Sequence, residues 1–195
     1  MRGVLTNAED TLRTARQTAI STNRLAIFAY GSLLFRPGFP FVARQRAVAH
    51  GLTRSFSQAS PDHRGTPDRP GRVLTLLHAE GASTAGAIYL VDEPAESLLS
   101  ELDHRERAGY ERATIEVCTG ENRLSAVTWI APPGNTHAAP PLPLAALVEH
   151  IHHCAGPSGR NDDYVFQLEA ALRELGAEDP LVSELSALLR RRSGR

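Results

Sequence analysis

Between Leu25 and Ala131 the apolar residues fall in short β-type runs. Beyond the proline-rich segment from Pro132 to Pro143 the period turns helical and stays so. That switch confines the fold to a sheet built by the first part of the chain and covered by helices from the last third. The runs are Leu25–Tyr30, Ala47–Phe56, Arg72–His78, Thr84–Val91, Arg112–Thr119 and Leu124–Ala131. With helices inserted and appended, they predict a mixed α and β domain in which a small mixed sheet curls toward a barrel. One helix interrupts them: Pro94 to Leu102 has apolar residues at helical spacing behind a first-turn Pro94 and Glu96, and it delivers the chain to Asp103-His104-Arg105-Glu106. The helical third divides at about Leu144–Cys154, Asp162–Leu175 and Pro180–Arg191, with Gly176 as a C-cap and Asp179-Pro180 as a cap followed by first-turn proline. Asn7 to Ile20 predicts a short helix with a thin apolar face, so residues 1–24 are expected as an extension to a domain at 25–192.

A chain of 195 residues suits one domain. Its basic residues are all arginine, and 21 of them against 22 acidic residues leave a formal charge of -1, so neither nucleic acid nor an anionic membrane is expected as partner. The absence of lysine rules out Schiff-base chemistry and P-loop nucleotide binding. The first 24 residues hold no signal-peptide core, and no run approaches the roughly 18 apolar residues of a membrane span, so a cytoplasmic location is expected. Cys118 and Cys154 form no CxxC pattern and are expected reduced and structural.

Polar clusters stand at the ends of these elements. At Tyr30-Gly31-Ser32-Leu33 an apolar run stops in a turn whose successive N–H groups can form a nest for a carboxylate or oxyanion, with Gly31 leaving room for close approach. Arg105-Glu106 places a carboxylate where a helix gives way to the turn at Gly109-Tyr110. Ser158-Gly159-Arg160-Asn161 reads as a helix start, with Asn161 or Ser158 as cap and Tyr164 in the first turn. The polar loop Asp62 to Pro67, continuing through Pro70-Gly71-Arg72, offers Arg64 and Arg72 as forks for a carboxylate. His150, His153 and Cys154 would share a helix face, compatible with zinc or with histidines beside the last carbonyls of a helix.

In this order, Tyr30-Gly31-Ser32-Leu33, Arg64-Gly65-Thr66, Pro70-Gly71-Arg72, Arg105-Glu106 and Ser158-Gly159 with Asn161 and Tyr164 resemble the ChaC family of γ-glutamylcyclotransferases, from about Leu25 to the Leu181 region. The resemblance implies a γ-glutamylcyclotransferase-like fold and cleavage of glutathione to 5-oxoproline and cysteinylglycine by intramolecular aminolysis. Glu106 falls on the family's catalytic glutamate and Tyr30 to Leu33 on its substrate loop, with Arg64, Arg72 and Tyr164 expected around the substrate. The expected partner is this small molecule alone, with no cofactor or metal, and the expected assembly is a monomer or weak dimer. Two departures stand out: Asn135 to Pro140 differs from the expected loop, which places an altered rim on the pocket, and Phe35 stands where tryptophan is common in the family. Other readings are a cyclotransferase for other γ-glutamyl peptides or amines, a non-catalytic binder on the same fold, and a serine hydrolase using Ser32 with His63. The last lacks the second glycine of a nucleophile elbow.

Overall fold

The computed structural model describes residues 24–92, 95–106 and 108–194. The helix expected at Asn7 to Ile20 and the first-turn Pro94 lie outside them. Strand β1 (Leu25–Ala29) leads into a 3-10 turn at Ser32–Leu34, then β2 (Ala43–Ser60), β3 (Gly71–Val91), helix α1 (Ala95–Arg105), β4 (Glu111–Thr119) and β5 (Asn122–Ile130). After the proline-rich connector come α2 (Leu144–His152), the two-residue strands β6 (Ala155–Gly156) and β7 (Gly159–Arg160), α3 (Asn161–Glu174) and α4 (Pro180–Ser193).

The five long strands close into a barrel in the order β1-β3-β2-β4-β5, with β5 meeting β1 in parallel at Ile27 and Val127 and every other pairing antiparallel. The expected runs Arg72–His78 and Thr84–Val91 are one strand. Polar residues and Gly81 between them do not end it, because Gly51 and Gly81, both at positive φ, let the β2–β3 ribbon bend where its register shifts between His50 and Leu52. β2 likewise outruns its apolar stretch. Its inward positions continue past Phe56 with Gln58 and Ser60, buried polar residues that apolar alternation cannot reveal. Ile27, Phe28, Leu74, Ile88 and Val117 fill the core, and the helices join it through Ile151, Leu168, Leu185 and Leu189.

Arg54, on β2, joins the barrel to the helical cover. Its side chain is 1% exposed, and it donates from Nε to the Tyr30 carbonyl at 3.0 Å, from Nη1 to Asp179 at 2.8 Å and from Nη2 to the Ala85 carbonyl. Asp179 is also the N-cap of α4, accepting from the Val182 amide at 3.2 Å ahead of Pro180, as the Asp-Pro pair predicts. Gly176, at positive φ, ends α3 where expected. Cys118 and Cys154 are free thiols, and no helix of the described residues is long and apolar enough to cross a membrane.

Removing one partner of a buried ion pair strands the other charge. Asp179→Ala is therefore expected to destabilise the protein by about 3–5 kcal/mol, with loss of the cap included, and the double change Arg54→Met with Asp179→Leu should not recover that loss, because the Tyr30 and Ala85 carbonyls and the Val182 amide lose their partners. Denaturant unfolding of the two variants beside wild type measures both.

Candidate active site

A cavity of about 370 Å³ opens where β1 ends. Its lining brings together Tyr30, Gly31, Ser32, Leu33, Arg64, Glu106 and Tyr164 from four separate parts of the chain.

The floor is the turn after β1. The Leu34 amide bonds the Gly31 carbonyl at 3.0 Å and the Arg36 amide bonds the Ser32 carbonyl at 2.9 Å, so Ser32 and Leu33 are the leading residues of the turn, whose amides it does not itself satisfy. A Cβ on Gly31 would stand 3.3 Å from the Tyr164 hydroxyl, so glycine keeps the space beneath that hydroxyl clear.

Glu106 lies one residue beyond α1, its amide still bonded to the Leu102 carbonyl at 2.8 Å. Its side chain is only 16% exposed, and Arg105 Nε lies 3.4 Å from Oε1. The rest of the Arg105 fork is engaged elsewhere, donating from Nη1 to the Pro37 carbonyl at 2.6 Å and from Nη2 to the Arg36 carbonyl at 2.7 Å. Burial pushes the Glu106 carboxyl above the usual carboxylate range, and Arg105 offsets only part of that rise. The result is a carboxyl group that binds a proton more readily than one in water.

Three tyrosines surround this carboxyl, and burial raises the pKa of each, so all stay protonated. Tyr30 donates its hydroxyl proton to the Trp129 carbonyl at 2.7 Å, and Tyr110 donates to the Leu74 carbonyl at 2.5 Å. Tyr164 instead accepts, from the Leu74 amide at 3.4 Å, which leaves its own proton for the cavity. The Tyr164 ring is held by edge contacts with Phe35 and Phe56 and by the Arg64 guanidinium, 5.6 Å from its centroid.

Of the two arginines expected as a clamp, Arg64 reaches the cavity and Arg72 does not. Arg64 donates from Nη1 to the Arg160 carbonyl at 3.0 Å and still lines the opening. Arg72 is not among the lining residues; its Nη1 donates to the Pro140 carbonyl at 2.9 Å and to the Phe56 carbonyl at 3.4 Å. Contrary to expectation, Asn161 is not the cap of α3; Arg160 holds that position without a side-chain cap bond. The Asn161 amide serves β3, with Oδ1 accepting from the Arg72 amide at 2.6 Å and Nδ2 donating to the Arg72 carbonyl at 2.8 Å. Ser158 is not the cap either; its hydroxyl pairs with His63 Nδ1 at 3.1 Å. The Ser32–His63 contact that a serine hydrolase needs is therefore replaced by one to Ser158.

The segment Asn135 to Pro140 is not a rim. It adds to the β2 edge, with the Ala59 amide bonded to the His137 carbonyl at 2.8 Å and the Ala139 amide to the Ser57 carbonyl at 2.9 Å. Gln58 links it to the turn that carries Glu106, donating to Asn135 Oδ1 at 3.0 Å and to the Ala108 carbonyl at 2.8 Å. Gly109, at φ +84°, is required there, because a Cβ would stand 2.3 Å from Asn135 Oδ1. The residues of the histidine cluster are separately engaged: His150 Nε2 meets the Pro70 carbonyl at 2.8 Å, His153 Nδ1 meets the Glu149 carbonyl at 2.8 Å, and the Cys154 thiol faces the Pro70 carbonyl at 3.5 Å. Among the described residues no group of three or more His, Cys, Asp or Glu side chains is placed to hold a metal ion.

A model of the ChaC-like protein family matches residues 25–192. The chain is 36% identical over 174 residues to Gamma-glutamylcyclotransferase 2-3 of Arabidopsis thaliana, covering 84% of this chain and 87% of that protein. It is 32% identical over 160 residues to Glutathione-specific gamma-glutamylcyclotransferase 1 of Homo sapiens, covering 79% and 72%. Among solved structures, the glutathione-specific γ-glutamyl cyclotransferase from yeast superposes with a TM-score of 0.79 at 26% identity, covering 86% of this chain and 96% of that one.

Because the folded protein holds the Glu106 proton more tightly than the unfolded chain does, the stability this group contributes is present below the unfolded pKa and is lost as pH rises through the raised folded value. Glu106→Gln should therefore be more stable than wild type at neutral pH, with the difference shrinking as the pH falls toward 4. Paired denaturant titrations at the two pH values read the sign directly.

Proposed function

The chain belongs to the ChaC-like family, and from that membership we propose that it is a γ-glutamylcyclotransferase acting on glutathione, with Glu106 as its general acid and base. The observation that carries this reading is a poorly compensated, buried carboxyl at Glu106, facing the same cavity as the turn at Gly31 and the free hydroxyl proton of Tyr164.

The reaction is an intramolecular aminolysis. Glu106 takes a proton from the α-ammonium group of the γ-glutamyl moiety, and the freed amine attacks the γ-carbonyl carbon. The new C–N bond closes a five-membered ring and leaves a tetrahedral oxyanion. The Tyr164 hydroxyl and the amides of Ser32 and Leu33 supply donors for that oxyanion. As the original amide C–N bond breaks, Glu106 returns its proton to the departing nitrogen and takes up the second proton of the ring nitrogen, which it passes on to the freed amine, so that 5-oxoproline and cysteinylglycine are released with the carboxylate restored. Nucleophile and electrophile belong to one molecule, so the cavity acts chiefly by folding the substrate, and such orientation is worth about 7–11 kcal/mol. A raised carboxyl pKa suits Glu106 to the return of the proton as well as to its removal. This chemistry calls for neither metal nor cofactor.

Arg64 is the cation we assign to the glutamyl α-carboxylate, and Tyr30 a wall residue held by Trp129. Ser32 acts through its position and backbone rather than as a nucleophile. Residues 25–192 form the catalytic domain in this reading, with residues 1–24 as an extension, and one chain supplies the whole cavity, so a monomer or weak dimer suffices. The free thiols at Cys118 and Cys154 suit a reducing cytoplasm.

Purified protein incubated with glutathione should release 5-oxoproline and cysteinylglycine in equal amounts. Glu106→Gln should lower kcat by ~10²-fold or more, and Tyr164→Phe by ~10²-fold. Ser32→Ala should keep measurable activity without an acyl adduct by mass spectrometry. Near-normal turnover by folded Glu106→Gln protein would remove this carboxylate from the mechanism.

A further inference from the structure

On the reading above, the substrate carries two carboxylates, while three arginines, Arg36, Arg64 and Arg105, line the cavity. Their availability differs. Arg105 has Nη1 and Nη2 on backbone carbonyls and Nε beside Glu106. Arg64 has Nη1 on the Arg160 carbonyl and lies over the Tyr164 ring. Arg36 is exposed at the opening, and its guanidinium has no hydrogen-bond or ion-pair partner among the described residues.

The backbone at Arg36 is nevertheless fixed. Its amide bonds the Ser32 carbonyl at 2.9 Å, and its carbonyl accepts from Arg105 at 2.7 Å. Burial lowers the pKa values of Arg64 and Arg105, and the charge of Arg36 lowers both further, which places that charge close to each of them. Three cations thus share one opening with only Asp62 and Glu106 as lining carboxylates, and Asp62 lies 3.9 Å from His63. Such a cluster favours an anionic ligand there.

We propose that Arg36 sets specificity for the leaving half of the substrate by taking the terminal carboxylate of the departing dipeptide in its free guanidinium fork. The spacing agrees. The Arg36 amide on the Ser32 carbonyl closes an α-type turn that sets Arg36 about 6 Å from Ser32, and an extended dipeptide spans about 7 Å. With the reacting γ-carbonyl over the Gly31–Ser32 turn, the terminal carboxylate reaches the opening at Arg36, and a planar fork matches its geometry.

The test compares kcat/KM for glutathione and for its glycine carboxamide, in which the terminal carboxylate is an uncharged amide, using wild type, Arg36→Gln and Arg36→Lys. Wild type should prefer glutathione by ~10- to 100-fold, mostly through KM. Arg36→Gln should bring that preference close to one while leaving the carboxamide rate unchanged, and Arg36→Lys should restore part of it. A preference that survives in Arg36→Gln, or an equal loss on both substrates, overturns the assignment. Failure of wild type to release 5-oxoproline from either compound overturns the cyclotransferase reading on which it rests.

Discussion

The guanidinium of Arg54 is the contact on which the rest of this structure depends. Shut inside the barrel, it holds the carbonyl of Tyr30, the carbonyl of Ala85 and the carboxylate that caps α4. Burial pushes its pKa down and Asp179 pushes back, so the charge is kept in a place where it costs stability unless every donor is used. What it secures is position. The last residue before the cavity turn is fixed to both the sheet and the helical cover, and a site of this kind works only when its donors do not drift.

The same principle explains the support behind Glu106. Its turn is braced from within by Gln58 and Asn135, and α1 is anchored to the turn after β1 by the Arg105 fork. Because that fork bonds two backbone carbonyls, Arg105 meets the Glu106 carboxyl with Nε at 3.4 Å instead of a bidentate pair. A closer pair would steady the carboxylate and pull its pKa down, which on the proposed mechanism would weaken a base that must also return the proton. Stability is given up at this position, since burial disfavours the ionised carboxylate and Arg105 offsets only part of that cost.

Much of this was legible in the sequence, and the failures share one cause. Apolar periodicity located the strands and helices, and turn chemistry located Gly31, Gly176 and the Asp179-Pro180 cap. Polar residues turned inward were beyond its reach: Arg54, Gln58 and Ser60 continue the alternation of β2 as buried groups whose partners lie far away along the chain. The loop arginines show the same limit. Arg64 and Arg72 look alike as sequence, yet Arg72 is taken up by the Pro140 carbonyl, a partner far along the chain, while Arg36, passed over beside a proline, stands at the opening. Asn161 reads as a cap but is the first residue of α3, and its side chain serves a neighbouring strand. The stretch from Asn135 to Pro140, expected to reshape the rim, braces the turn that carries Glu106 from behind and contributes nothing to the cavity lining.

The central claim is that one buried carboxyl, Glu106, moves the proton in this cavity. The pH dependence of kcat/KM for 5-oxoproline release tests it most directly. The account predicts an acid limb with an inflection above the ordinary carboxylate range, since burial raises the Glu106 pKa and its ionised form must accept the ammonium proton. It also predicts that this limb is missing from the residual activity of Glu106→Gln. An acid limb that persists unchanged in Glu106→Gln would contradict the account, because another group would then be carrying the proton.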